Sequence, residues 1–277
     1  MQILTIKAEI KTAKSFVVQP YTARVVRQIL FKVAEKTGAD WLAEALASTA
    51  PNKPYAYTPL YAGTKPLYKN PNTDKPIVLY AGKTYTFKAA TIIKSTDDVK
   101  LLYGFLGPLE LYDKKVNLAI TSAEILDEQA IKLPLRYGSR ILVRFETPTL
   151  LQLPKPRKPS KVNRYLPFPV PSIIFRSLKQ HWNTYAREKV TSSSWRADYA
   201  LVVENYRLNP YTAYYDARRR IRGFTGWTQY RVTTRGEKLL AALSKLLAYA
   251  QLVNVGKSRS AGFGVVKINV LDKKPQH

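Results

Sequence analysis

Twice along its 277 residues the chain runs strand, amphipathic helix, two strands, helix, strand. That order predicts an α+β protein of two tandem ferredoxin-like (RRM-like) βαββαβ domains, each a four-stranded antiparallel sheet with two helices on one face. Two further observations support it. Helical periodicity is clearest at residues 22–38 and 235–252, and the pattern restarts around Leu133-Pro134-Leu135, so the domains are expected at 1–135 and 136–277. The repeat lies in element order only; no residue-level repeat accompanies it.

In the first half, residues 3–10 alternate and place Leu4, Ile6, Ala8 and Ile10 on one strand face. Pro20-Tyr21-Thr22 opens a helix with Thr22 as its N-cap and Val25, Val26, Ile29, Leu30 and Val33 as its apolar stripe. Arg24, Arg27 and Gln28 share another face at i, i+3 and i+4. Gly38 ends this helix, and residues 40–47 read as a short second one. Strands are expected at 54–58, 77–80 and 84–90, a helix at 97–106 capped by Thr96 or Asp97, and one or two strands within 109–125.

In the second half, residues 139–146 form a strong strand and a proline-rich connector covers 148–171. Ile174, Leu178, His181, Trp182 and Tyr185 follow helical spacing within a helix at 173–187. Strands at 200–206 and 218–232 are expected to meet at a turn around Asn209-Pro210. A long helix at 235–252 turns Leu239, Leu240, Leu243, Leu246, Leu247 and Ala250 inward, and a strand at 265–271 follows.

The charge narrows the function. Forty-five basic against 19 acidic residues give +26, spread along the chain. A folded surface with that excess repels itself unless a polyanion is near, which points to nucleic acid. No lysine-rich amphipathic helix, lipidation motif or long apolar run favours a membrane. The absence of cysteine excludes disulfides and thiolate metal sites. With no signal-peptide pattern at residues 1–10, the expectation is a soluble, cytoplasmic protein, and the abundant Lys, Arg and Tyr fit a thermophile.

Between the long helix and the last strand lies Asn254-Val255-Gly256-Lys257-Ser258-Arg259-Ser260-Ala261-Gly262-Phe263-Gly264. Its order is neither a Walker loop nor a dinucleotide fingerprint. Glycines suit a plain helix-to-strand connector, but the Lys-Ser-Arg-Ser insert adds charges and hydroxyl donors suited to phosphate. Gly256, Lys257, Ser258, Arg259, Ser260 and Gly262 are therefore candidates for gripping a phosphate backbone. Arg218, Arg220 and Arg222, on one face of a strand, and Arg231 extend the candidate RNA grip, where the other reading is a solvated basic face.

Phe145-Glu146-Thr147-Pro148-Thr149, Phe168-Pro169-Val170-Pro171, Ile174-Phe175-Arg176-Ser177-Leu178, Gly223-Phe224-Thr225-Gly226-Trp227 and the closing glycine loop together resemble the CRISPR-associated endoribonucleases that cut repeat RNA into guide units, the Cas6 family of the RAMP superfamily, and its archaeal members in particular. The resemblance is specific over about residues 139–271; the first half is similar only in element order and a basic first helix. It implies a metal-independent cut with no cofactor, in which the 2′-hydroxyl upstream of the scissile phosphate attacks in line and leaves a 2′,3′-cyclic phosphate and a 5′-hydroxyl. It implies CRISPR repeat RNA as partner, with a CRISPR effector complex and a second copy of the chain as further candidates.

That reaction needs help in deprotonating the 2′-hydroxyl, charge for the phosphorane and a proton for the leaving 5′-oxygen. Many family members use a histidine near the first helix. Here the histidines are His181, read as a packing residue beside Trp182, and His277, the last residue. The sequence candidates for catalysis are instead Arg24 and Arg27 on the first helix, Lys53 after the helical region, and Tyr21, placed to orient the 2′-hydroxyl. An ordinary solvated helix face and a loop lysine are the competing readings. Lysine transfers a proton once neighbouring charge lowers its pKa, and arginine does not. A non-catalytic RNA-binding subunit of an effector complex is the alternative that the missing histidine keeps open.

Overall fold

The computed structural model describes residues 1–69, 75–154, 164–215 and 220–271. The chain forms two compact units. One comprises Met1–Glu128 together with Ala213–Ile221 and Ser260–Gly262; the other comprises Gln129–Thr212, Arg222–Arg259 and the residues from Phe263 on.

The elements of residues 1–128 are β1 (Gln2–Thr12), β2 (Phe16–Val18), α1 (Ala23–Thr37), α2 (Asp40–Ala47), β3 (Tyr55–Tyr57), β4 (Tyr61–Ala62), β5 (Lys65–Pro66), β6 (Ile77–Leu79), β7 (Thr84–Ile93), α3 (Leu101–Gly104), β8 (Gly107–Leu111) and β9 (Lys114–Asp127). β1 lies between β7 and β9 and is antiparallel to both. β3 and β4 pair with the far side of β7, and β8 with β9. Counting β3 and β4 as the second strand, β7 as the third and β9 as the fourth, the order is 2-3-1-4, the ferredoxin-like arrangement. Leu4, Ile6, Ala8 and Ile10 of β1 are buried, as their alternation predicts, and so is the whole α1 stripe from Val25 to Val33. Each such side chain contributes about 1.5–3 kcal/mol on full burial. That burial fixes the rotation of α1 and hence the face on which Arg24 and Arg27 emerge.

The remaining elements are β10 (Arg140–Thr149), β11 (Leu151–Gln152), β12 (Tyr165–Leu166), α4 (Pro171–Tyr185), α5 (Arg196–Ala200), β13 (Leu201–Tyr214), β14 (Arg220–Val232), α6 (Glu237–Val253) and β15 (Val266–Leu271). The sheet order β13-β14-β10-β15 is again 2-3-1-4. The protein is thus an α+β chain with two tandem ferredoxin-like folds.

Four local expectations are corrected. Asn209-Pro210 makes no turn; β13 runs on to Tyr214. A proline is tolerated there because β13 is an edge strand with an unpaired side. The helix expected at 97–106 is a 3-10 turn, Thr96–Lys100, followed by the short α3. Its cap is Ser95, because the Asp98 carboxylate accepts from the backbone N–H groups of Lys94 (2.7 Å) and Ser95 (3.1 Å) and tightens the turn. Thr22 stands at the N-cap of α1 as expected, though its hydroxyl makes no cap bond: it donates to the Leu67 carbonyl (2.6 Å) and accepts from the Leu60 N–H (3.0 Å). Leu239 and Leu240 are only half-buried, while Leu243, Leu246, Leu247 and Ala250 are core.

Candidate active site

Arg24 and Arg27 stand one helical turn apart on α1, both half-buried. The Arg27 guanidinium lies over the Phe31 ring, 4.9 Å from its centroid, and Nη2 donates to the Leu46 carbonyl of α2 at 2.7 Å. One edge of its fork is therefore spent on position. Arg24 lies over the ring of Tyr215, 5.5 Å from the centroid. Tyr215 belongs to the same compact unit through the Ala213–Ile221 segment.

Lys53 precedes β3. Its ammonium donates to the Ser48 carbonyl at 2.5 Å and to the Tyr55 hydroxyl at 3.2 Å. Partial burial lowers its pKa below the usual lysine value, and the Arg27 charge lowers it further. The Tyr55 phenol is pushed up to about 12, chiefly by burial, against the opposing effects of Arg27 and a hydrogen bond with Ser260. Tyr55 stacks on Tyr57, with centroids 6.0 Å apart and planes 9° from parallel, and burial holds the Tyr57 phenol well above its ordinary value. Both phenols stay protonated near neutrality, next to a lysine that releases its proton more readily than a free one.

The closing loop supplies the rest. Ser260–Gly262 packs with the first unit. Gly262 has φ of +81°, and a Cβ there would come 2.5 Å from the Cβ of Ala23, so only glycine lets the loop backbone lie against the start of α1. Tyr21 is fully buried and its hydroxyl donates to the Gly262 carbonyl at 2.8 Å. This bond ties Tyr21, expected from the sequence to orient the 2′-hydroxyl, to the closing loop. Sequence reasoning missed Tyr55, Tyr57 and Tyr215. A Tyr-Ala-Tyr triplet two residues after Lys53 was the available signal, hidden among 19 tyrosines.

The other basic candidates divide by what they touch. Lys257 is exposed, with Nζ 5.9 Å from the centroid of the Tyr165 ring, and its N–H donates to the Leu150 carbonyl at 2.8 Å. Gly256 has φ of +80°, and a Cβ there would collide with the Leu150 carbonyl oxygen, so its glycine is a packing need. Ser258 is half-buried at φ of +61°. Arg220 and Arg222 are exposed two residues apart on β14, Arg220 over the Tyr214 ring at 5.1 Å; Arg218 lies outside the described residues. Two candidates have partners within the second unit. Arg231, its side chain 51% exposed, shares Glu204 (3.2 Å) with Arg140 (2.9 Å), so the trio keeps a net positive charge. Arg259 points inward: burial lowers its pKa, Tyr249 and Tyr185 oppose that shift, and its Nη1 is sealed from solvent with no hydrogen-bond partner.

The same buried cluster holds His181, which is 3% exposed. Its Nδ1 is 2.6 Å from the Tyr249 hydroxyl, and its ring meets Tyr185 edge-on at 5.2 Å. His181 is thus a packing residue, as read from the sequence; His277 lies outside the described residues. Among the described residues no three His, Asp or Glu side chains gather as metal ligands, and no helix is long and apolar enough to cross a membrane.

Residues 143–266 match the family described as CRISPR-associated endoribonuclease Cas6, and residues 4–126 match the Cas6 N-terminal domain. The chain belongs to the Cas6 family. A Saccharolobus solfataricus relative, CRISPR-associated endoribonuclease Cas6 1, is 26% identical over 194 residues, which span 62% of this chain and 66% of that protein. A Cas6 product complex superposes with a TM-score of 0.69 at 21% identity, covering 97% of this chain and 100% of that one. Thermus thermophilus Cas6 superposes at 0.65 and 17% identity, covering 96% and 98%. A Cas6-related protein from Pyrococcus furiosus does so at 0.60 and 10%, covering 98% and 100%. At these identities the structural likeness supports the Cas6 fold. Within this Cas6 chain, Arg27 and Lys53 are charged groups that gather around Tyr55.

Proposed function

We propose that this chain cuts CRISPR precursor RNA within its repeats, without a metal ion, by attack of the 2′-hydroxyl on the adjacent phosphate. The 2′-oxygen bonds to phosphorus as its proton passes to solvent water, and the P–O bond to the 5′-oxygen breaks, leaving a 2′,3′-cyclic phosphate and a 5′-hydroxyl. The observation that carries the reading is the placement of Lys53 against Tyr55 and within the field of Arg27. A lysine with a lowered pKa is suited to give its proton to the departing 5′-oxygen. Arg24 and Arg27 stabilise the charge on the phosphorane. Tyr21 acts as a positioning residue through Gly262, and Ser260 orients the Tyr55 phenol. Lys257 and Ser258, in the loop that Gly256 shapes, grip the RNA backbone together with Arg220, Arg222 and Arg231 of β14, while Arg259, with its sealed Nη1, serves the fold.

The decisive assay incubates the protein in EDTA with repeat RNA and with the same RNA carrying a single 2′-deoxy nucleotide before the cut. Cleavage of the first and none of the second is the expected result. One observation favours a second reading. Since His181 is buried against Tyr249, a non-catalytic RNA-binding subunit of an effector complex also fits, and tight binding of both RNAs without cleavage of either selects it. Association with an effector complex or with a second copy is compatible with either reading and is read out by sizing with and without repeat RNA.

A further inference from the structure

A groove of about 480 Å³ opens in the second unit between α5 and the start of α6, floored by Thr233, Thr234 and Gly236. Its wall carries two aromatic rings that the fold leaves in water: Trp195 is 59% exposed and Tyr199 75%. They meet edge to face, centroids 5.7 Å apart and planes at 89°, so each supports the other. The Arg196 guanidinium lies 5.8 Å from the Trp195 centroid, and Lys238 also lines the groove. Arg235, in the chain between Thr234 and Gly236, lies 4.6 Å over a third exposed ring, Tyr137. The acidic groups nearby are Glu237, which lines the groove, and Asp198, whose Oδ1 accepts from the Ser172 N–H at 2.8 Å.

Exposed tryptophan and tyrosine side chains forgo the large apolar gain that burial gives aromatic rings. A fold with a helix-covered core two residues away, at Ala197 and Ala200, gains nothing from this placement. Rings flanked by cations, above a floor of threonine and backbone groups, suit the flat face and the phosphate of a nucleotide better than an apolar protein segment. The chain's +26 charge points the same way.

We propose that this groove binds unpaired RNA by stacking one or more bases on Trp195 and Tyr199, with Arg196, Arg235 and Lys238 meeting the phosphates. It is a surface for single-stranded stretches of the transcript, separate in residues from the Lys53 site, and it rests on the reading of the chain as an RNA-processing protein. Base order matters little there, because every base offers a π-face.

The test titrates labelled oligoadenylate of about eight nucleotides, a length a single-stranded site can track, into the full chain, monitored by anisotropy. The same preparations are assayed for repeat-RNA cleavage. W195A/Y199A is expected to weaken oligoadenylate binding on the order of ten-fold, with W195F/Y199F restoring most of it. The cleavage rate at saturating repeat RNA stays within about two-fold. Equal oligoadenylate binding by wild type and W195A/Y199A overturns the proposal and assigns the rings to a protein partner. If wild type leaves repeat RNA intact yet loses oligoadenylate on W195A/Y199A substitution, the groove stands and the nuclease reading falls.

Discussion

The two units put the same chemical groups to opposite uses. Around β3, Lys53 and Arg27 sit half-buried against the buried Tyr55 and Tyr57, and the Lys53 pKa is lowered by burial and by Arg27. Beside α4 and α6, His181, at 3% exposure, and Tyr249 are buried, with Tyr185 and Arg259 half-buried beside them and Arg259 Nη1 sealed off. Partial burial tunes a group while leaving it able to meet a substrate. Deep burial closes the group to any substrate and leaves only a packing role. The difference teaches that residue type alone does not assign the chemistry: on the proposed mechanism the half-buried lysine serves the reaction and the buried histidine does not.

The largest expected effect divides the clusters directly. Lys53→Ala and Arg27→Ala should each lower the single-turnover cleavage rate about a hundred-fold or more, at nearly unchanged RNA affinity. Wild-type rates in both variants would move the site elsewhere. His181→Ala should show the reverse pattern. It strands the buried Tyr249 hydroxyl at a cost of about 1–3 kcal/mol, seen as a lower thermal midpoint, while cleavage by the folded protein is kept. A cleavage defect with an unchanged midpoint would erase the distinction between the clusters.

Three smaller effects sharpen it. A general-acid lysine works while protonated, so activity should fall as pH rises through the Lys53 pKa. Because that pKa is lowered, the fall should come below the range of a free lysine, and Lys53→Arg should remove it from the pH–rate profile. At the deep cluster, Arg259→Met replaces a cation whose Nη1 has no partner by an apolar chain, and the midpoint should hold or rise with RNA affinity unchanged. Smallest of all, Arg220→Ala should flatten the dependence of log affinity on log salt by about 0.7, the share of one phosphate contact. An unaltered slope would return Arg220 to the solvated face it also fits.

Much of the fold was legible because it rests on periodicity. The α1 stripe, the alternation of β1, the span of α2 and the doubled element order are local patterns that burial then satisfies. Where a long-range partner decides, the reading was incomplete. Thr22 holds the cap position of α1, yet its hydroxyl goes to Leu67, 45 positions on. Asn209-Pro210 has the composition of a turn, yet an edge strand accommodates it. Of the candidate site, sequence spacing alone placed Arg24 and Arg27 on one face of a helix. It did not reveal that Tyr21 is locked to Gly262, nor that Arg259 turns inward.

The sequence by itself determined the periodic elements, the basic surface and the family motifs, because these depend on residues close in the chain or on simple totals. Only the tertiary structure decided which cations are tuned and which are spent. Lys53 meets Tyr55 and the field of Arg27, whereas Arg231 shares Glu204 of a neighbouring strand with Arg140. Desolvation and charge proximity are properties of position in space, and chain order does not state them.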